Sequence, residues 1–110
     1  MSAFRKRRTS PTPDRQPHQD PRIEAELQRI ITLRRAVSRQ ERLIEQNLQQ
    51  IDALRDRARN YAGYLSGQDA ERMAKALVKE NSGLETEISN LHDRIDERIA
   101  KLTDTDLAYL

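Results

Sequence analysis

The chain has no cysteine and no tryptophan in 110 residues. Without a thiol it forms no disulfide, offers no thiolate nucleophile and holds no cysteine-based metal site. Proline is confined to the first 21 residues, so the strongest helix breaker is missing from everything that follows. Glycine occurs three times, at Gly63, Gly67 and Gly83. Apolar residues make up 35%, below the usual ~45–50%, and charged residues 35%, above the usual ~25%. That is too little apolar material for a broad core, but enough for a narrow seam between long helices. No apolar run approaches the ~20 residues of a membrane span. The basic N-terminus is followed by no apolar stretch, so a secretory signal is not expected.

The apparatus of catalysis is equally sparse. Only two histidines occur, His18 and His92. His92 has Asp96 one turn on, which is half a metal site with no further ligand in view. Glu85 and Glu87 fall on different helix faces. No glycine-rich phosphate loop occurs. The expectation is a protein that is not an enzyme, with no catalytic residues, no cofactor, no metal and no small-molecule substrate.

What is present is a repeat. Ile23, Ile30, Val37, Ile44, Ile51, Ala58 and Leu65 stand seven apart without a miss, within otherwise charged sequence. A period of seven keeps one narrow stripe facing a partner helix as a left-handed supercoil forms. A second stripe four residues on is imperfect: Leu27, Arg34, Glu41, Leu48, Arg55 and Ala62, with Leu33 and Leu54 beside it. Asp20-Pro21 is a strong start, because aspartate is a preferred N-cap and proline suits the first helical position. The first helix is expected over 21–63.

A break follows at 64–69, marked by Gly63 and Gly67, with Ser66 or Asp69 as candidate caps. The second helix, expected over 70–103, has two tracks: Ala74, Asn81, Ile88, Ile95, Leu102 and Ala70, Leu77, Leu84, Leu91, Arg98. Its stripe is two residues out of phase with the first ladder. In a continuous helix that displacement turns the stripe by roughly 200°. A single rod would need partners on opposite sides, whereas a turn brings the stripes together. Folding at Ser66 pairs Val37 with Ile95, Ile44 with Ile88 and Ala58 with Ala74, at the cost of setting Arg34 on Arg98 and Ile51 on Asn81. The fold class expected is all-α: two long amphipathic helices in an antiparallel coiled-coil hairpin, assembling into a dimer or four-helix bundle.

The stretch from Leu77 to Ile95 resembles a leucine zipper, with leucine at successive d positions, isoleucine at a, and Asn81 at an a position. Such a resemblance implies a parallel pair in which a buried asparagine meets its own copy and fixes register. Gly83 departs from that pattern, costing about 1 kcal/mol of helix propensity.

Residues 1–20 hold three prolines and a basic run, Arg5, Lys6, Arg7 and Arg8. They bury too little to offset their ordering entropy and are expected to be a disordered arm on which the fold does not depend. The basic run supplies candidate phosphate contacts or, in a eukaryote, a nuclear address; otherwise the cytoplasm is the expected compartment. The segment 104–110 is read as a tail that leaves the pattern, either fraying or covering the open end of the seam.

Charge is divided along the chain. Residues 1–60 carry 14 Lys/Arg against 8 Asp/Glu, a net +6, and residues 61–110 carry 6 against 10, a net −4. Two functions fit. The first is a non-catalytic structural or adaptor protein acting by helix–helix association in a larger assembly, as scaffold, spacer or chaperone. Its contact residues would be Ile23, Ile30, Val37, Ile44, Ile51, Leu77, Asn81, Leu84, Ile88, Leu91, Ile95 and Leu102, and its partners further copies of itself or other helical proteins. The second is a nucleic-acid-associated coiled-coil dimer using the basic arm, which the acidic second half disfavours. A membrane partner is not expected.

Overall fold

A computed structural model describes residues 15–110. The described residues form an all-α helical hairpin: α1 (Pro21–Asn60), α2 (Leu65–Ile99) and a single-turn α3 (Asp104–Leu107), with no strand among them. The two long helices pack against each other, and the longest dimension is 65 Å. A helix of 40 residues accounts for most of that length, at roughly 1.5 Å per residue.

The local signals act as their chemistry dictates. Asp20 is extended and its side chain accepts from the Arg22 amide at 2.9 Å, while Pro21 fills the first turn, where an amide hydrogen would lack an acceptor. The turn is shorter and earlier than the sequence suggested. α1 ends at Asn60, Gly63 takes φ +88°, and α2 begins at Leu65. Tyr64 stands at the N-cap without a side-chain bond, so neither Ser66 nor Asp69 caps the helix. Leu65, the last rung of the heptad ladder, is the first residue of α2 and is 74% exposed.

Gly67 is a packing residue rather than a turn residue. It is buried, and a Cβ there would run into the backbone carbonyl of Tyr61 and lie 3.3 Å from the Ala58 carbonyl oxygen. Ala70 and Ala74 continue this close approach, both almost fully buried.

The earlier turn displaces the register by about one helical turn from the one obtained by folding at Ser66. Asn81 meets Asn47, not Ile51, and Arg98 meets Glu26, not Arg34. Both defects of the expected register disappear. The second stripe of α1 also differs. Leu33 and Asn47 are buried and Gln40 and Leu54 half-buried, whereas Arg34, Glu41, Leu48 and Arg55 are exposed. A seam between two helices advances by alternating three and four residues. Ile30, Leu33, Val37, Gln40, Ile44, Asn47, Ile51, Leu54 and Ala58 follow that alternation; of the track four residues on, Leu27 is fully buried at the end away from the turn, while its members from Arg34 onward lie outside.

The core is concentrated at the end away from the turn. Ile30, Leu33, Val37 and Ile95 form its centre, with Ile88, Leu91, Ile99, Leu102 and Leu110 packed around them. The C-terminal segment is therefore part of the fold. Thr103 and Asp106 form a capping box that starts α3, and Leu110 returns to the core. Residues 15–20, expected to belong to a disordered arm, make contacts with α1 and α3. Arg15 makes a two-pronged contact with Glu24 at 2.7 and 2.9 Å, and the His18 amide donates to the same carboxylate. Asp20 donates its amide to His18 Nδ1, and His18 Nε2 lies 3.0 Å from Asp106 Oδ1, with its ring 4.5 Å from that of Tyr109. Asp106 and Tyr109 are remote in sequence from His18, and Glu24 lies nine residues from Arg15, so none of these contacts has a local sequence signal.

Candidate functional site

The residues picked out from the heptads line the junction between the chain's own two helices. Ile30, Val37, Ile51, Asn81 and Ile95 are buried. Ile23, Ile44, Leu77, Leu84, Ile88, Leu91 and Leu102 are half-buried. Asn81 finds its partner within the chain: Asn47 Nδ2 donates to Asn81 Oδ1 at 2.8 Å, and a second hydrogen on the same nitrogen reaches Glu80. Asn81 Nδ2 approaches the Ile44 carbonyl at 3.5 Å. Asn47 carried no sequence signal by itself. It becomes legible only when the seam is traced by threes and fours. Arg5, Lys6, Arg7 and Arg8 lie outside the described residues.

Among the described residues the paired helices leave more than one exposed surface; Leu48, Leu65 and Val78 are exposed besides the two described next. The first is one side of the seam. Ala36, Gln40 and Leu91 border one shallow depression with Arg94, and Leu33 borders the next with the same arginine. Leu54, Ala70 and Met73 border another toward the turn. Leu43, seven residues from Ala36, extends this face and is 46% exposed; Met73 is 58% exposed. Gln40 Oε1 is buried here with no hydrogen-bond partner among the described residues. The turn adds Tyr61 and Tyr64, both at least half exposed.

The second surface is on α1. Arg34, Arg35, Arg39 and Arg42 surround a concavity of about 440 Å³ together with Ile31 and Leu110.

Ionisable groups are perturbed chiefly at the end away from the turn. The hydrogen bond from Arg15 pulls the Glu24 carboxyl down to about 2, helped by the His18 amide and Gln28, against a smaller opposing effect of burial. Glu26 is lowered by its bond from Arg98 and then by Arg29. Asp106 is lowered by the Thr103 amide first, then by the Thr103 hydroxyl and His18. Glu26 and Asp106 tie the N-terminal part of the described residues to α2 and α3, whereas Glu24 holds residues 15–18 against the start of α1. No group of three or more metal-ligating side chains occurs among the described residues, and no helix among them is long and apolar enough to cross a membrane. Comparison with known protein families, curated proteins and solved structures finds no match.

Proposed function

We propose that the chain is a non-catalytic structural or adaptor protein that works by helix–helix association, adding its hairpin to a larger helical assembly. The observation that carries this reading is the unfinished side of the seam. Leu43 and Met73 are half exposed there, and the Gln40 carbonyl oxygen is dehydrated with no donor among the described residues. A buried acceptor left unpaired costs free energy comparable to a lost hydrogen bond. A further helix laid along Leu33, Ala36, Leu43, Leu54 and Met73 covers apolar surface and brings a donor to Gln40. Two long helices bury little by themselves, so much of their stability must come from additional packing. A second copy of the hairpin completes a four-helix coiled-coil bundle; a different helical protein can occupy the same face.

The test is sedimentation of the full chain over a wide concentration range, beside Leu43→Lys and Met73→Lys variants. Self-association or partner capture that both lysines abolish, with helicity unchanged, is the expected result. Unaltered association in both variants rejects this face.

A further inference from the structure

Arginine is the most abundant charged residue type here; five of the described arginines are ion-paired, while Arg22, Arg55, Arg57 and Arg94, like the four of the α1 concavity, are not. Arg15 is held by Glu24, Arg29 and Arg98 by Glu26, Arg59 by Asp56 and Arg72 by Asp69. The depression that Arg29, Arg94 and Arg98 share is thus largely neutralised by Glu26. The α1 concavity gathers four unpaired arginines around one depression. Arg34, Arg35, Arg39 and Arg42 are all exposed, and among the described residues none has a carboxylate within ion-pair distance. Arg35, Arg39 and Arg42 follow one another at four and three residues, a row on one helix face about 10 Å long. Like charges at those spacings weaken a helix, so the row is a cost to the fold by itself. The floor is apolar: Ile31 is 8% exposed, and Leu110 closes one edge.

We propose that this concavity docks an acidic amphipathic helix of a protein partner. Its carboxylates take the guanidinium forks of Arg35, Arg39 and Arg42, and an aliphatic side chain seats against Ile31 and Leu110. This inference rests on the helix-association reading and gives one partner its chemistry. Arginine's planar fork matches carboxylates two bonds at a time. Phosphate backbone offers the same charge but nothing for the apolar floor. Among the described residues no aromatic side chain lines the concavity to stack an unpaired base. An extended polyanion would also meet α2, where eight Asp/Glu outnumber five Lys/Arg. A short acidic helix lying across the row avoids α2.

The test is fluorescence anisotropy with the full chain. The probes are a labelled synthetic helix of Glu, Leu and Ala in amphipathic order, its Lys-for-Glu counterpart, and a short DNA duplex. The acidic helix is expected to bind saturably, at least tenfold more weakly in Arg35→Glu/Arg39→Glu/Arg42→Glu, and to weaken with added salt. Leu110→Ser is expected to weaken it severalfold while leaving the salt dependence in place. The basic helix is expected not to bind. These arginines are exposed, so circular dichroism of the reversed variant should match that of the parent. Equal binding by parent and reversed variant, or none by the parent, overturns the proposal. Tight duplex binding without acidic-helix binding overturns it too and marks a phosphate site. The association reading fails by mass in the Leu43→Lys and Met73→Lys variants, so the two failures are told apart.

Discussion

Removing either member of the Asn47–Asn81 pair tests the register of the hairpin, and the two removals are not equivalent. Both side chains are at least 93% shielded, with 7% and 5% exposure. Asn47→Ala takes away the donor to Asn81 Oδ1 and leaves Asn81 only a 3.5 Å approach to the Ile44 carbonyl. A buried amide stripped of its partner costs about 1–3 kcal/mol. Asn81→Ala leaves Asn47 still bonded to Glu80, so its cost is expected near that of one ordinary bond, about 0.5–1.5 kcal/mol. Replacing both by leucine removes donor and acceptor together and adds apolar area, so Asn47→Leu/Asn81→Leu is expected to be neutral or more stable than the parent. The assay is urea unfolding followed by circular dichroism at one fixed protein concentration, because any association makes apparent stability concentration-dependent. A shift of 1 kcal/mol corresponds to about 4–8 °C in Tm for a domain of about this size. The double-alanine variant completes the cycle, with a coupling of about 0.5–3 kcal/mol expected for residues in contact. Additive effects in that cycle, or an Asn81→Ala variant costlier than Asn47→Ala, would refute this register.

Other perturbations probe other parts of the account. Gly67→Ala sets a methyl group against the Tyr61 carbonyl and is expected to cost about 1–3 kcal/mol, read by thermal unfolding. Ile51→Asp places a carboxylate where the side chain is 3% exposed and is expected to lower helicity far more than Leu48→Asp, whose site is 46% exposed. Acid acts first on the end away from the turn. Glu24 is depressed from an ordinary 4.5 to about 2, so its contribution is complete above about 4.5 and is lost as pH falls toward 2; the protection of amides in residues 15–24, taken relative to the intrinsic exchange rate at each pH, is expected to fall across that window. Deleting residues 1–20 removes Arg15 and His18 and is expected to loosen the C-terminal segment, seen as faster exchange at 103–110, whereas deleting 1–14 spares both contacts.

Much of the fold was legible in the sequence for a simple reason. A heptad ladder, an Asp-Pro start and a glycine-marked break are local signals. Each acts within a few residues, and together they specify two helices and a reversal. The register was not legible, because the turn length alone sets it and neither Tyr61 nor Tyr64 announces a helix boundary. A stripe placed four residues from the ladder instead of three then hid Asn47 and Gln40. The ties at the ends of the chain were missed on different grounds. Arg15 and His18 look like members of a solvated arm until folding brings Glu24 and Asp106 beside them. The apolar floor beneath the α1 arginine row has no local signal, because Ile31 and Leu110 are 79 residues apart in the sequence.

The association claim meets its most direct test in light-scattering mass combined with small-angle scattering on the full chain, at low and high salt. The expected result is a mass about twice 12.8 kDa, or a higher whole multiple, in a particle whose length stays near the 65 Å of one hairpin. That result means hairpins packed side by side over the open face. A monomer at every concentration, with no helical partner recovered, contradicts the association claim, and a rod well beyond 100 Å, the span of roughly 75 helical residues end to end, contradicts the hairpin itself.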